Sequence, residues 1–504
     1  MKRIQALALA FIACASLAAC GGDPDLGTRF RAERALWDAN AEVQRLSIRP
    51  ELVSEATWHK AVDMFSAIPT QYPVKGKGET ATELKTVHAH ALLSAARIYG
   101  TLGDSVSMLD VYARIESQYQ DLPVITGEVA FARGRLAESQ SDWTGALAAY
   151  QEAMARVAPR SGDPGVAGAI IELPLRMARI RVMASHDSTM AARHQAYREA
   201  ETYYHGMIAK ADTLTALDAR AYMADVAADQ NEWDEAASQL KALEKMLGGM
   251  KPPPRDPASA RLALSQLEVR SKAPADEVQG TLRSLIKDYP ESPFAAQAQF
   301  ALAYSYTQNG NTDQALAALD AVAGTKNVPE DLAGQALLLK AQILDHTGKW
   351  TDAQQILAAL PVDHPLSEAA LLAPIEVVRH YERAGDTEGA QAALAKAETA
   401  YRDFLNRYPT GPVSVMAQEK LARTLAQEKR YDLAVAEFVR LGEALGQHPA
   451  GAQYLAAAAQ LALQQLGDTT RAAEILDRTA TQYANRKVGQ WASQEAARLR
   501  KGPQ

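Results

Sequence analysis

Few residues of this 504-residue chain could do covalent or acid–base chemistry, and almost none stand at a working spacing. Cys14 and Cys20 are the only thiols, and the ten histidines are scattered. His88 and His90 are two apart, so on a helix they point away from each other, and no cysteine pair joins them into a metal site. Ser284-Leu285-Ile286-Lys287 has the spacing of a serine nucleophile and its lysine. It sits just before a Tyr-Pro helix stop and lacks the Ser-Asp-Asn and Lys-Thr-Gly partners such a site needs. HExxH, GxSxG, Walker A and GxGxxG are missing from the sequence. What remains is Cys20, just behind the small residues Ala18 and Ala19, and a set of amide, charged and aromatic side chains suited to holding a partner. The chemistry implied is binding, and the chain is not expected to be an enzyme.

The elements that must position those side chains are announced by a recurring phrase, aromatic-x-x-Ala-x-x-x-large apolar. It reads Trp58/Ala61/Phe65, Trp143/Ala146/Tyr150, Trp233/Ala236/Leu240, Trp350/Ala353/Leu357 and Tyr431/Ala434/Phe438, so four of the six tryptophans share one slot. A second version opens with glycine: Gly310/Ala315/Leu319, Gly348/Ala353/Leu357, Gly385/Ala390/Leu394 and Gly467/Ala472/Leu476. Offsets of three and four place these residues on one helical face. Glycine five residues before the alanine suits a turn at positive φ, and Asp, Asn or Thr beside it can cap the next helix. Each phrase therefore predicts a helix-turn-helix elbow, with alanine where two helices cross closely and the larger residue filling the space beyond.

Successive alanines from Ala315 to Ala472 lie 37 to 44 residues apart, and Met108 takes the slot after Gly103. Two wider gaps each leave room for one degenerate unit, centred near Ala191 and Val278. The expected architecture is all-α, with about eleven helical hairpins. Leu302, Ala303 and Tyr306, followed by Gly310, Ala315 and Leu319, resemble the core positions of a tetratricopeptide repeat. The resemblance covers roughly residues 50 to 480, weakly around 160–230 and 255–290, and it implies a right-handed superhelical solenoid. The periods exceed the usual repeat length and approach those of HEAT-like units, but the glycine and aromatic frame favours the tetratricopeptide type. Several second helices stop at Tyr-Pro, as at Tyr72-Pro73, Tyr289-Pro290 and Tyr408-Pro409, because proline cannot continue a helix. Tyr-Pro-x-Ser/Gly-Pro before an alanine-rich helix is similar to the repeats of outer-membrane assembly lipoproteins and Tol-Pal-associated repeat proteins.

The N-terminus reads Met1-Lys2-Arg3, then a short apolar run to Leu17, then Ala18-Ala19-Cys20, the layout of a secretory signal. Leu17-Ala18-Ala19-Cys20 resembles the lipobox of bacterial lipoproteins. That resemblance implies removal of residues 1–19 and covalent lipid on Cys20, with no other cofactor expected. Gly21, where Asp would retain the protein in the inner membrane, implies the outer membrane, facing the periplasm. The mature chain would then hold no free thiol and no disulfide. Residues 20–27 would form a lipidated tether.

Residues 28–247 form a first, degenerate set of helical repeats and 258–500 a second set ending in a cap helix. Between them, 248–257 carries Pro252-Pro253-Pro254 and is either a hinge or a long loop riding on an unbroken solenoid. Pro159–Gly165 is expected to be a hairpin connection, and the helices around Arg29–Leu46 and Asn485–Arg500 to cap the array. The formal charge of −7 becomes −9 when Lys2 and Arg3 leave with the signal. That balance argues against a nucleic-acid partner, and no basic stripe with interleaved aromatics runs along the sequence.

A helical solenoid offers a concave surface lined by first-helix positions opposite the packing face. Counting in the tetratricopeptide frame, these are Gln297, Phe300, Tyr304, Gln308, Gln342, Asp345, Arg379, Glu382, Arg383, Glu419 and Arg423. They could hold an extended or helical peptide, with Phe300 and Tyr304 as anchors. The expected function is a membrane-anchored scaffold for envelope proteins or peptides, in outer-membrane, secretion or cell-wall assembly, with no small-molecule ligand. The alternative is a glycan- or peptidoglycan-binding lipoprotein. Aromatics at only 6% of the chain, with most tryptophans at elbows, speak against it.

Overall fold

The structure, a computed structural model, describes residues 23–47, 53–157, 171–185, 187, 189–210, 213–325, 328–446, 448–484 and 487–501. Cys20, the lipobox and the Pro159–Gly165 connection lie outside the described residues. Among the described residues there are 23 α-helices and no strand. They pair in chain order: α1 (Leu26–Leu46) with α2 (Glu55–Gln71), α3 (Glu79–Thr101) with α4 (Ser105–Gln118), and α5 (Pro123–Ser139) with α6 (Trp143–Val157). Next come α7 (Leu173–Ala184) with α8 (Met190–Lys210), α9 (Thr213–Asp229) with α10 (Trp233–Gly249), and α11 (Ala258–Arg270) with α12 (Ala275–Asp288). Then follow α13 (Pro293–Gln308) with α14 (Thr312–Gly324), α15 (Glu330–His346) with α16 (Trp350–Asp363), and α17 (Glu368–Arg383) with α18 (Thr387–Arg407). Last are α19 (Pro412–Gln427) with α20 (Tyr431–Ala444), α21 (Pro449–Gln464) with α22 (Thr469–Gln482), and the unpaired α23 (Lys487–Lys501). Each helix packs on its chain neighbours, which is the all-α solenoid expected from the repeated phrase.

The elbows share one device. Gly103, Ser141, Asn231, Lys272, Gly310, Gly348, Gly385, Lys429 and Gly467 all have φ between 60° and 79°. In each elbow the next residue bonds back across the helix end, as Asn311 N–H does to the Tyr306 carbonyl (2.9 Å), Lys349 to Leu344 (2.8 Å) and Arg430 to Leu425 (2.9 Å). This closure satisfies carbonyls that the helix end leaves orphaned. The glycine and aromatic versions of the phrase are therefore one turn, with Ser141, Asn231 and Lys429 in the place of glycine.

Behind the turn, Ala146, Ala236, Ala315, Ala353, Ala434 and Ala472 have no exposed surface, and Tyr150, Leu319, Leu357, Phe438 and Leu476 are buried one turn later. The cores form a chain of small clusters, each shared by consecutive hairpins. Two expectations need correction. Ser54 caps α2 by accepting from Thr57 N–H, so the helix starts one turn before Trp58 and not at it, with Ala61 and Phe65 buried inside it. The degenerate unit placed near Ala191 begins at Met190, so its alanine slot holds Arg193 and its large residue is Tyr197, which is buried. Val278 occupies its slot as expected.

The terminal helices are less polar than caps were expected to be. Phe30 and Trp37 of α1 and Trp491 of α23 are exposed. Helix α1 is tied down from its first turn: the Asp25 carboxylate is buried and accepts from Lys75 N–H (2.8 Å) and Gly76 N–H (2.7 Å) in the α2–α3 loop. Across 248–257, Leu217, Leu243, Leu247 and Ala260 share one cluster, and Leu264 and Leu267 join Ala224 and Leu240 in another.

Candidate functional groove

Three cavities lie in series between first helices of the array. The first, of about 760 Å³, runs between α3 and α5 and is walled by Arg97, Phe131 and Arg135. The second, about 690 Å³, extends from α5 past α7 to the ends of α9 and α11. The third, about 680 Å³, lies between α11 and α13. Arg135 lines the first two, and the second and third, which share no lining residue, adjoin at Arg270 and Val269, successive residues of α11.

The sequence-predicted residues separate into two groups. Gln297, Phe300, Tyr304 and Gln308 of α13 line the third cavity together. Tyr304 is 54% exposed, and Phe300 rests partly on the core beneath. The opposite wall is Leu262, Ser265, Gln266 and Val269 of α11, which the sequence count did not include. They follow the same three-and-four spacing, but the weak repeat signal over 255–290 hid them.

The remaining seven line none of these three cavities, and six of them are engaged by other side chains. Gln342 of α15 donates to Glu376 of α17 (3.2 Å), which also accepts from Arg379 (2.6 Å) and is 8% exposed. Asp345 bonds His380 Nδ1 (2.6 Å) and pairs with Arg383. His380 in turn stacks on Trp350 with ring centroids 3.5 Å apart. Glu419 pairs with Arg423 (2.7 Å) and accepts from Tyr454 of α21 (3.0 Å). Glu382 is exposed. Neighbouring first helices pack about 8–10 Å apart, so Gln342 reaches Glu376, Asp345 reaches His380 and Arg383, and Tyr454 reaches Glu419 across the gap, while Arg379 and Arg423 pair with acids of their own helices. Between α11 and α13 the facing rows carry small, apolar or amide side chains instead, and no charged residue lines the cavity there.

The second cavity was not foreseen. Arg135, Arg176, Arg179, Arg193 and Arg270 face it from four helices, against the two carboxylates Glu138 and Asp229. At its centre Asp229 holds Arg179 (2.6 Å) and Arg270 (2.7 Å) and accepts from Tyr197 Oη (2.9 Å). Its backbone carbonyl accepts from Arg193 (3.0 Å). Burial opposes ionisation of Asp229, but hydrogen bonds from Arg179, Arg270 and Tyr197 outweigh it and hold the carboxyl below its ordinary range. Asp225 on the same helix goes the other way, pushed up by burial. Glu138 accepts from Tyr150 Oη (2.7 Å) and from Arg176 (3.1 Å). Trp143 also lines this cavity, so at least one elbow tryptophan serves both packing and surface. Among the described residues, no group of three or more His, Cys, Asp or Glu could hold a metal, and no helix is long and apolar enough to cross a membrane.

Residues 223–293, 279–331, 300–367 and 378–442 match the family model described as tetratricopeptide repeat. No curated protein matches the chain. Among solved structures, yeast Tom70 is similar at 12% identity, covering 94% of this chain and 96% of its own, with a TM-score of 0.35. A tetratricopeptide repeat protein from Parabacteroides merdae is similar at 15% identity over 56% of this chain and 98% of its own, TM-score 0.30. The apo quorum sensor NprR from B. thuringiensis is similar at 13% identity over 73% and 99%, TM-score 0.32. The chain carries tetratricopeptide repeats, and the stretch in which the family model finds them, within residues 223–442, contains the uncharged cavity between α11 and α13.

Proposed function

We propose that this chain is a non-catalytic scaffold of the bacterial envelope, lipid-anchored through Cys20 and seating an extended or helical stretch of another protein in the groove from α3 to α13. The observation that carries the scaffold role is the serial alignment of three open cavities along successive first helices, the third rimmed by amides and floored by apolar side chains. Such a surface suits a chain segment: main-chain groups meet the glutamine amides while side chains enter between helices. Support for the anchor is the sequence alone, Leu17-Ala18-Ala19-Cys20 behind a basic start and an apolar run. The outer membrane and its periplasmic face follow from Gly21 in the same way.

A photo-cross-linking amino acid placed at Tyr304 in living cells tests the scaffold, with one at the exposed Val362 of α16 as control. A protein adduct from position 304 and not from 362 is expected. Identical patterns from both positions, or none from 304, would sink the groove as a binding surface. The anchor is tested separately by labelled-palmitate incorporation, which Cys20→Ser is expected to abolish. Unchanged labelling of that variant would refute lipidation at this cysteine.

A further inference from the structure

The groove is graded in charge along its length. In a chain of formal charge −7, the wall of the second cavity carries five arginines against two carboxylates. Glu172 and Asp225 also approach Arg176 (3.3 Å) and Arg179 (4.0 Å), yet arginines still outnumber acids. One carboxylate, Asp229, is shared by two guanidinium groups, and Arg193 reaches only its backbone carbonyl. Arg135 is exposed at the junction with the first cavity, and no ion pair to it is found among the described residues. A guanidinium has five N–H donors, so each arginine held by one shared acid keeps donors for another. The third cavity, one residue along at Val269, has no charged residue in its wall. Its floor is apolar, with Phe300 and Tyr304 opposite Leu262.

We propose that the segment seated here has an acidic stretch lying along the arginine-rich cavity and an apolar residue entering the uncharged cavity between α11 and α13. The proposal rests on the scaffold role given above and names the chemistry of its partner. Carboxylates match guanidinium forks in bidentate geometry, and these bonds are the strong ones in a partly desolvated groove. The uncharged cavity selects in the opposite sense: a charge placed there would lose its hydration with no counter-ion, whereas an apolar side chain gains by burial. An extended peptide advances about 3.3 Å per residue, so on the order of ten residues cover both cavities.

Selection from a random peptide library displayed on phage, with the purified full chain as bait, tests this. Enriched peptides are expected to combine several Asp or Glu with a Leu, Phe or Met a few residues away. Binding of the best synthetic peptide, followed by fluorescence anisotropy, should weaken about ten-fold when its acids become amides or when Arg135→Gln is introduced. Arg135→Lys should restore part of that loss, since the charge remains and the fork does not. Tyr304→Ala should weaken the acidic and amide peptides by the same factor. Enrichment of neutral or basic peptides that Tyr304→Ala still weakens overturns the charge assignment and leaves the scaffold standing. No enrichment at all, with no adduct at position 304 in cells, overturns both. Retention on phosphatidylglycerol vesicles or single-stranded DNA that Arg135→Gln abolishes, with no peptide selected, reassigns the arginines to a phosphate and overturns the proposal.

Discussion

Lys429 holds a left-handed backbone at φ 61° in the place that Gly348 holds at 79°. A side chain in that conformation costs about 1–2 kcal/mol, partly offset by the greater entropy glycine loses on folding. Lys429→Gly is therefore expected to stabilise the protein by up to about 1 kcal/mol, and Gly348→Ala to destabilise it by about 1 kcal/mol. A Cβ at Gly348 would meet no atom within 4 Å, so the second effect isolates backbone strain from packing. Urea melts of both variants check the pair; a stabilised Gly348→Ala would mean that the elbow does not require positive φ. Asp229 supplies the second prediction at this scale. Its folded-state pKa is depressed, so its contribution to stability is full above the unfolded value, near 3.9, and is lost as pH falls through the lower folded value. Asp229→Asn should be less stable than the parent at pH 7, and the difference should shrink as pH drops below about 4. A gap in melting temperature that widens on acidification would contradict the network drawn around this carboxylate.

At the scale of the element, the elbow alanine governs how closely first and second helices cross. Ala353 has no exposed surface and shares a cluster with Leu344, Leu357 and Ala373 of α15 to α17. Ala353→Leu should overpack that crossing and cost about 1–3 kcal/mol. An unchanged melting temperature would show that the crossing has room the structure denies it. Second helices also carry tyrosines that tie them to the first helix of the same hairpin, or to the turn leading into it, through backbone carbonyls. Tyr204 donates to Ile171 (2.7 Å) and Tyr401 to Leu371 (2.7 Å), both from buried positions. The repeated phrase accounts for the alanine but not for these tyrosines, which stand further along the helix, beyond the elbow. Tyr401→Phe keeps the ring and removes the bond, and should cost about 1 kcal/mol. A neutral result would mean that this hydroxyl adds nothing to the packing of its ring.

For the whole molecule, the question is whether 248–257 divides it. The clusters on either side are continuous: Leu217 and Leu247 pack with Ala260 beyond the loop, and Arg255 pairs with Asp218 at 2.6 Å. Stacked repeats draw their stability from such neighbour interfaces, so a cut in one loop leaves the interface intact. A specific protease site inserted between Pro253 and Pro254, both exposed, should yield two fragments that elute as one species on size exclusion. Separation of the fragments would make the loop a hinge between independent halves.

Periodicity, the elbow turns and the all-α class were legible in the sequence because each depends on residues a few positions apart on one helix, a relation that spacing alone records. The Trp58 phrase misplaces its helix start because Ser54 sets that start by capping, and the unit near Ala191, placed from the spacing alone, is shifted because its helix begins at Met190. Half of the groove was legible for the same local reason: Gln297, Phe300, Tyr304 and Gln308 share a face of α13. Whether such a face stays open depends on the row opposite. Glu376 of α17 takes up Gln342 of α15, whereas the uncharged row from Leu262 to Val269 leaves Tyr304 exposed. The arginine cavity had no sequence signature, since Arg135, Arg176, Arg193 and Arg270 are brought to Asp229 and its surroundings from three different hairpins. A linear chain determines which side chains share a helix face. Only the stacking of one hairpin on the next decides which faces meet, which charges cancel, and where a surface is left over for a partner.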